Sequence, residues 1–310
     1  MKVVALAGGV GGAKLADGLA QILSPDDFTV VVNTADDFEH LGLHISPDLD
    51  TVVYTLAGLS NDGTGWGRAG ETWRFLDTLR GLGGPTWFQL GDRDLALHHE
   101  RTRRLAQGER LSAVTGDLAR RMGVKATVLP MTDDRVRTMV LTVDDELAFQ
   151  RYFVERHCEP AVRGFRFEGI EAARPADGVL EALVAADAIV LCPSNPWVSL
   201  DPILAVPGLR PALGGKVVIG VSPIIGGRAL KGPAAKMARE LGIEPSAGAI
   251  AEHYRGVLTG LVIDELDVAD VPRVEAAGVR GMTAHTVMKS KADRRRLAND
   301  VLGFARQLAG

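Results

Sequence analysis

Cysteine is nearly absent. Cys158 and Cys192 are the two in 310 residues, and they share no metal-ligand spacing. They support neither a disulfide framework nor a cysteine-based zinc site, and read as small buried apolar residues of a reducing compartment. Charge of one sign is not in excess either. The 35 basic and 39 acidic residues leave a net charge of −4, which excludes a bulk electrostatic pull toward nucleic acid or an anionic membrane. No apolar run approaches the ~20 residues of a bilayer-spanning helix. No basic segment precedes a long apolar stretch near residue 1, so no secretory signal is expected. Internal repeats and low-complexity linkers are also missing. The expectation is a cytoplasmic, soluble protein with neither a nucleic-acid nor a membrane partner. HExxH, GxSxG and any evident Ser-His-Asp arrangement are absent as well, so nothing suggests covalent catalysis or structural zinc.

What is present is enough apolar residue, 46%, to build a large core. Apolar, β-branched runs recur: KVVALA, FTVVVN, TWFQL, KATVLP, DAIVLCP, KVVIGV and LVIDE. Several lack alternation, as parallel strands covered on both faces do. Helical patterns separate many of them. Leu15, Leu19, Ile22 and Leu23 share one stripe, Leu180, Leu183 and Val184 begin another, and Ala234–Leu241 ends at Gly242. Leu297, Val301, Phe304 and Leu308 line a last helix. Strands alternating with helices predict an α/β fold with a doubly wound, mostly parallel, Rossmann-like sheet. Two stretches break the rhythm. Residues 50–125 read as a mostly helical insertion, and 136–175 as an insertion built around a hairpin at 136–155. Both are expected to sit as caps on a single domain spanning residues 1–310.

The first motif is GGVGGAK, directly after the first strand. A Walker loop needs Lys directly after Gly and followed by Ser or Thr, but here Ala13 precedes Lys14 and Leu15 follows it. A dinucleotide loop needs a third glycine where Lys14 stands, counting from Gly9 and Gly11. The physics of both loops survives nonetheless. Gly9, Gly11 and Gly12 let backbone N–H groups approach an anion, the helix N-terminus adds favourable partial charge, and Lys14 adds a cation. A tight, ligand-free turn would need fewer glycines. The second motif is VVNTADDFEHLGLHISPDLDT. It follows a strand ending at Asn33 and carries Asp36, Asp37, Glu39, His40, His44, Asp48 and Asp50. Carboxylates beyond a strand's carboxyl end can share the ligand crevice of an open α/β sheet, and one or two of them suit Mg²⁺. Alternatively, Asp48 or Asp50 caps a helix beginning near Thr51. His40 and His44 read as loop or surface residues. The third is WFQLGDRDLALHHE, where Asp92, Arg93 and Asp94 form either a polar clamp or a capped helix start with a local ion pair. The last two, VLCPSNPWVSLDPIL and VSPIIGGRALKGPAAK, place Ser194, Asn195 and Ser222 in proline-rigid loops at strand ends.

In this order, GGVGGAKL, VVNTADD, ISPDLDTVVYTL, LGDRDLALH, VLCPSNPWVSLDPIL and VSPIIGGRALKGPAAKM resemble the CofD family across nearly the whole chain. LGDRD with SPDLDT is the specific part. The family comprises 2-phospho-L-lactate transferases, called phosphoenolpyruvate transferases in actinobacteria, of deazaflavin coenzyme F-420 biosynthesis. The resemblance implies Mg²⁺-dependent transfer of a phospho-lactyl or phospho-enolpyruvyl unit from a guanylylated donor. The acceptor is the terminal ribityl hydroxyl of the deazaflavin Fo, and GMP leaves. It implies that Gly9, Gly11, Gly12 and Lys14 hold donor phosphates, with Asn33, Ser194, Asn195 and Ser222 on the nucleotide side. Asp50 is tied to metal and acceptor rather than to a helix cap, Arg93 with Asp92 binds the acceptor, and Asp48 and Asp50 are the candidate catalytic carboxylates. Trp66 or Trp73 could stack on the deazaflavin. A homodimer is a further expectation from the family. The rival reading is a CofD-like regulator of the YvcK type, which shares the glycine loop and binds nucleotide sugars; LGDRD and SPDLDT favour the transferase. Whether the acid is lactyl or enolpyruvyl stays open.

Overall fold

The structure, a computed structural model, describes residues 1–61 and 63–310. Seven parallel strands form its central sheet: β1 Val3–Ala7, β2 Phe28–Val32, β3 Thr127–Pro130, β4 Ala188–Leu191, β5 Val217–Val221, β6 Gly260–Asp264 and β7 Arg280–Ala284. Their order is β7-β6-β5-β4-β1-β2-β3. Residues alternate between two cores, one per face. Val4, Leu6, Val31, Ile189 and Leu191 enter one core, and Val3, Ala5, Val30, Val32 and Val190 the other. That two-sided burial explains why these strands read as unbroken apolar runs. The chain order reverses between β1 and β4, and their carboxyl ends open there as the switch-point crevice.

Helix α1, Gly9–Ala20, leaves β1 immediately and packs against α2, Pro47–Leu56, and the C-terminal helix Lys291–Ala309. Ser290 and Asp293 start that last helix with a reciprocal capping box. Region 50–125 continues with α3 Arg74–Gly81, α4 Asp92–Ala106 and α5 Leu111–Arg121. The expected hairpin is present as Arg137–Thr142 paired with Glu146–Ala148, and Val162–Glu168 adds a third antiparallel strand.

Four details differ from the sequence reading. TWFQL is not a strand; Trp87 and Phe88 instead pack with Phe38 and His40 in an aromatic cluster. His40 is therefore buried rather than at the surface. Phe38–His40 and Leu43–Ile45 form a small hairpin turning through Leu41 (φ 54°) and Gly42 (φ 72°). Both turn residues are left-handed, as a two-residue hairpin requires, but Leu-Gly lacks the usual Asn-Gly signature. Strand β7 lies at the sheet edge, half-exposed, and has no apolar run to announce it. Among the described residues no helix is long and apolar enough to cross a membrane.

The α1 contact with the C-terminal helix is close enough that a methyl group on Gly18 would collide with the Arg294 carbonyl. Gly18→Ala is expected to destabilise the protein by about 1–3 kcal/mol despite its better helix propensity. A urea titration checks this, and an unchanged or raised midpoint would show that the two helices separate freely.

Candidate functional site

The switch-point crevice is assembled from the ends of β1, β2 and β4 and the start of α2. Gly9 begins α1 with φ 63°, a left-handed backbone that favours glycine. Gly11 and Gly12 have a different constraint. Side chains there would run into the Pro193 carbonyl and the Ser194 hydroxyl. Part of the glycine requirement is thus packing between the two crossover loops, and Gly8 N–H donates to Ser194 Oγ at 3.1 Å across the same contact. Gly9 N–H donates to Asp48 Oδ1 at 2.8 Å, and Asn33 Nδ2 donates to Asp48 Oδ2 at 2.9 Å and to the Val198 carbonyl at 3.2 Å. Asn33 Oδ1 accepts from Ala35 N–H at 3.0 Å, so every arm of this amide is used. Gly9, Gly11, Gly12, Asn33, Asp48 and Ser194 therefore stand together.

Acidic charge is concentrated here. Asp36, Asp37 and Asp48 are all buried. Burial, then the Asp48 charge, pushes the Asp36 carboxyl well above the ordinary carboxylate range. Asp48 is pushed up to about 6, mainly by burial, against the opposing hydrogen bonds from Asn33 and Gly9. Asp37 Oδ2 accepts from Ser46 Oγ at 2.7 Å and lies 3.0 Å from His44 Nε2. The Oδ1 atoms of Asp36 and Asp37 are buried without a hydrogen-bond partner.

Neither Asp48 nor Asp50 caps α2. The helix begins at Pro47, before the expected Thr51, with Ser46 at its N-cap. Asp50 instead points toward α4. Both its oxygens accept from the Arg101 guanidinium, and His98 Nδ1 lies 3.6 Å away. His98 Nε2 lies 3.3 Å from Asp94, which accepts from Tyr54 Oη at 2.5 Å. Burial raises the Asp50 carboxyl, and the Arg101 charge works against that rise. Asp50, Asp94 and His98 each offer a ligand atom within 4.8 Å of the others. Two oxygens and a nitrogen, with a guanidinium already on Asp50, do not form a cage for a hard, oxygen-seeking Mg²⁺. Asp50 fits as a single carboxylate ligand, because each oxygen retains acceptor capacity and Mg²⁺ takes its remaining ligands from phosphates and water.

GDRD builds a paired helix start. Asp92 accepts from Arg74 N–H at 3.3 Å, from Phe75 N–H at 3.1 Å and from the Thr72 hydroxyl, capping α3. Glu71 accepts from Arg93 N–H and Asp94 N–H, both at 2.8 Å, capping α4 in return. The Arg93 side chain is exposed, beside Gly70. Lys14 Nζ donates to the Met288 carbonyl at 3.0 Å. Asn195 and Ser222 secure their own loops: Asn195 Oδ1 accepts from Trp197 N–H at 3.1 Å, and Ser222 Oγ donates to the Ile224 carbonyl at 2.9 Å. Thr51, Thr55 and Lys231, none singled out as site residues from the sequence, line a crevice with Lys14 and Trp66. For Thr51 and Thr55 the signal was their i,i+4 spacing on the helix that carries Asp50 on another side.

A family model described as 2-phospho-L-lactate transferase CofD matches residues 3–300. The phosphoenolpyruvate transferase of Streptomyces griseus subsp. griseus is 43% identical over 316 residues, covering 99% of each chain. The 2-phospho-L-lactate transferase of Methanopyrus kandleri is 40% identical, covering 100% of this chain and 99% of its own. A UPF0052-family protein of Bacillus halodurans superposes with a TM-score of 0.64 at 16% identity, over 97% of this chain and 98% of its own, a likeness of fold alone.

The raised Asp48 carboxyl carries a pH signature. A folded-state value near 6, above the usual unfolded value near 3.8, contributes stability that is full below about pH 4 and lost as pH rises through 6. Across that window Asp48 should cost the wild type about 1–3 kcal/mol. Subtracting the stability of Asp48→Asn from that of wild type at each pH between 4 and 7 should isolate this slope. A flat difference would show that Asp48 titrates normally.

Proposed function

The chain belongs to the 2-phospho-L-lactate transferase CofD family, a transferase family of coenzyme F-420 biosynthesis, and from that premise we propose the following reaction. The terminal ribityl hydroxyl of Fo attacks the phosphorus that carries a lactyl or enolpyruvyl group in a guanylylated donor. The new P–O bond forms as the P–O bond to the guanylyl unit breaks, GMP leaves, and the hydroxyl loses its proton. The observation that carries this reading is the full-length likeness to transferases of both names, joined to a switch-point crevice that holds a glycine turn and a carboxylate cluster. Likeness to the UPF0052 protein reaches only the fold, which gives the regulator reading no comparable support.

Phosphoryl transfer of this kind depends mainly on positioning and on offsetting charge. We assign the donor phosphates to the first turn of α1, with Lys14 beside them and Ser194, Asn195 and Ser222 toward the nucleotide. Gly9 and Asn33 act through Asp48, which shapes that turn; ionised above pH about 6, Asp48 is also the proposed proton acceptor. Asp50 is the proposed protein ligand for Mg²⁺, which when bound would offset charge on the diphosphate. Arg93 is held at the start of α4 with its guanidinium free to reach Fo, and Asp92 keeps α3 in place beside it. A cytoplasmic location fits such substrates.

Purified protein with Fo, Mg²⁺ and each guanylylated donor should yield the F-420-type phosphodiester and GMP, identified by mass. Asp50→Ala is expected to lower turnover by about 10³-fold or more with its circular dichroism unchanged. Arg93→Ala is expected to raise the KM for Fo about tenfold while leaving the donor KM near wild type. No product from either donor would refute the reaction, and wild-type kinetics in Asp50→Ala would refute the role given to that carboxylate.

A further inference from the structure

Between α2 and α4 lies a set of metal ligands that a cation of the protein's own already occupies. Asp50 stands on α2, and Asp94 and His98 stand one turn apart on α4. Among the described residues these three form the one metal-ligating cluster, each offering an atom within 4.8 Å of the others. His98 is 2% exposed, and its Nε2 is buried without a hydrogen-bond partner although an Asp94 oxygen lies 3.3 Å away. Two carboxylates and an imidazole suit cobalt, nickel or zinc better than magnesium. Arg101, three residues further along α4, is 3% exposed. Its Nη1 donates to Asp50 Oδ2 at 3.1 Å and lies 3.3 Å from His98 Nδ1, while its Nη2 donates to Asp50 Oδ1. One guanidinium nitrogen thus stands between the carboxylate and the imidazole, in the place that a metal ion shared by the two would need.

A guanidinium keeps its charge throughout the physiological range, and an imidazole has one lone pair to give. A divalent ion approaching this cluster therefore meets a fixed positive charge and a nitrogen that already faces a donor. Affinity alone would not protect such a cluster, because an oxygen-and-nitrogen site binds zinc and cobalt more tightly than harder ions; exclusion has to come from geometry and charge. We propose that Arg101 is a specificity-determining residue that keeps nitrogen-seeking divalent metals out of the Asp50–Asp94–His98 cluster. The consequence for catalysis rests on the role proposed above for Asp50: a zinc ion lodged beside α4 would take the carboxylate assigned to Mg²⁺. The exclusion itself rests on neither the reaction nor that role.

The test titrates untagged protein with Co²⁺, whose visible absorption changes with its ligands, and with Zn²⁺ by calorimetry. Arg101→Met removes the charge, and Arg101→Gln removes it while keeping a donor for Asp50; circular dichroism checks that each folds. Wild type is expected to show no Co²⁺ absorption that depends on His98. A folded neutral variant is expected to gain one such site, to bind Co²⁺ and Zn²⁺ about tenfold or more tightly than wild type, and to lose the gain when His98→Gln is added. Wild-type Co²⁺ bands that His98→Gln abolishes would overturn the proposal, and so would a folded neutral variant with wild-type affinities. If neither neutral variant folds, wild type and His98→Gln decide: matching Co²⁺ spectra support the exclusion, and differing ones overturn it. No arm uses Fo or a donor, so failure of wild type to transfer anything to Fo would sink the transferase reading alone. Active wild type with His98-dependent Co²⁺ bands would sink the exclusion alone.

Discussion

One buried carboxylate joins the parts of the crevice. Asp48, at the start of α2, accepts the Gly9 N–H from the turn after β1 and the Asn33 amide from the end of β2. Asn33 in turn donates to the Val198 carbonyl beyond β4. Three strand ends and a helix start are thus tied through a single side-chain pair. A charge in such a place is costly without partners, and the upward displacement of its titration records the part of that cost the hydrogen bonds do not offset. Loss of the Asp48 carboxylate would free the glycine turn from α2, and with it the approach of backbone N–H groups to an anion.

Around that centre the protein separates two kinds of work. The turn and the loop after β4 are packed so closely that Gly11 and Gly12 leave no room for side chains. Such a wall is rigid and suits groups that must stay in place. On the far side, α3 and α4 hold one another through reciprocal caps, Asp92 for one helix and Glu71 for the other. That exchange satisfies N–H groups each helix start would otherwise leave orphaned, and it sets Arg93 at the surface. Between the two lies a buried chain of Asp50, Arg101, His98, Asp94 and Tyr54. Arg101 already provides a positive charge at Asp50, so any metal there shares its ligand with a guanidinium instead of filling an empty acidic cage.

The central strands were legible because two-sided burial forces unbroken apolar runs, and six of the seven announced themselves that way. The seventh, Arg280–Ala284, lies at the edge and half-exposed, so its pattern carries no such run. TWFQL failed for the opposite reason: its apolar residues serve an aromatic cluster with Phe38 and His40 rather than a sheet. Motif positions were legible as loops at strand ends, but the partners inside them were not. Nothing local says that Asp92 caps a helix starting 18 residues earlier, that Asp48 reaches back to Gly9, or that Arg101 covers Asp50. Those contacts depend on how α2 and α4 lie against the sheet, which single-chain periodicity does not encode.

The central claim is that the donor's diphosphate lies at the first turn of α1, within the frame that Asp48 maintains. A crystal structure of the protein with GDP and Mg²⁺ tests it most directly. The account predicts phosphate oxygens on the N–H groups that follow Gly9, with the guanosine running toward the loop that holds Ser194. Nucleotide bound elsewhere, with that turn bare, would contradict it.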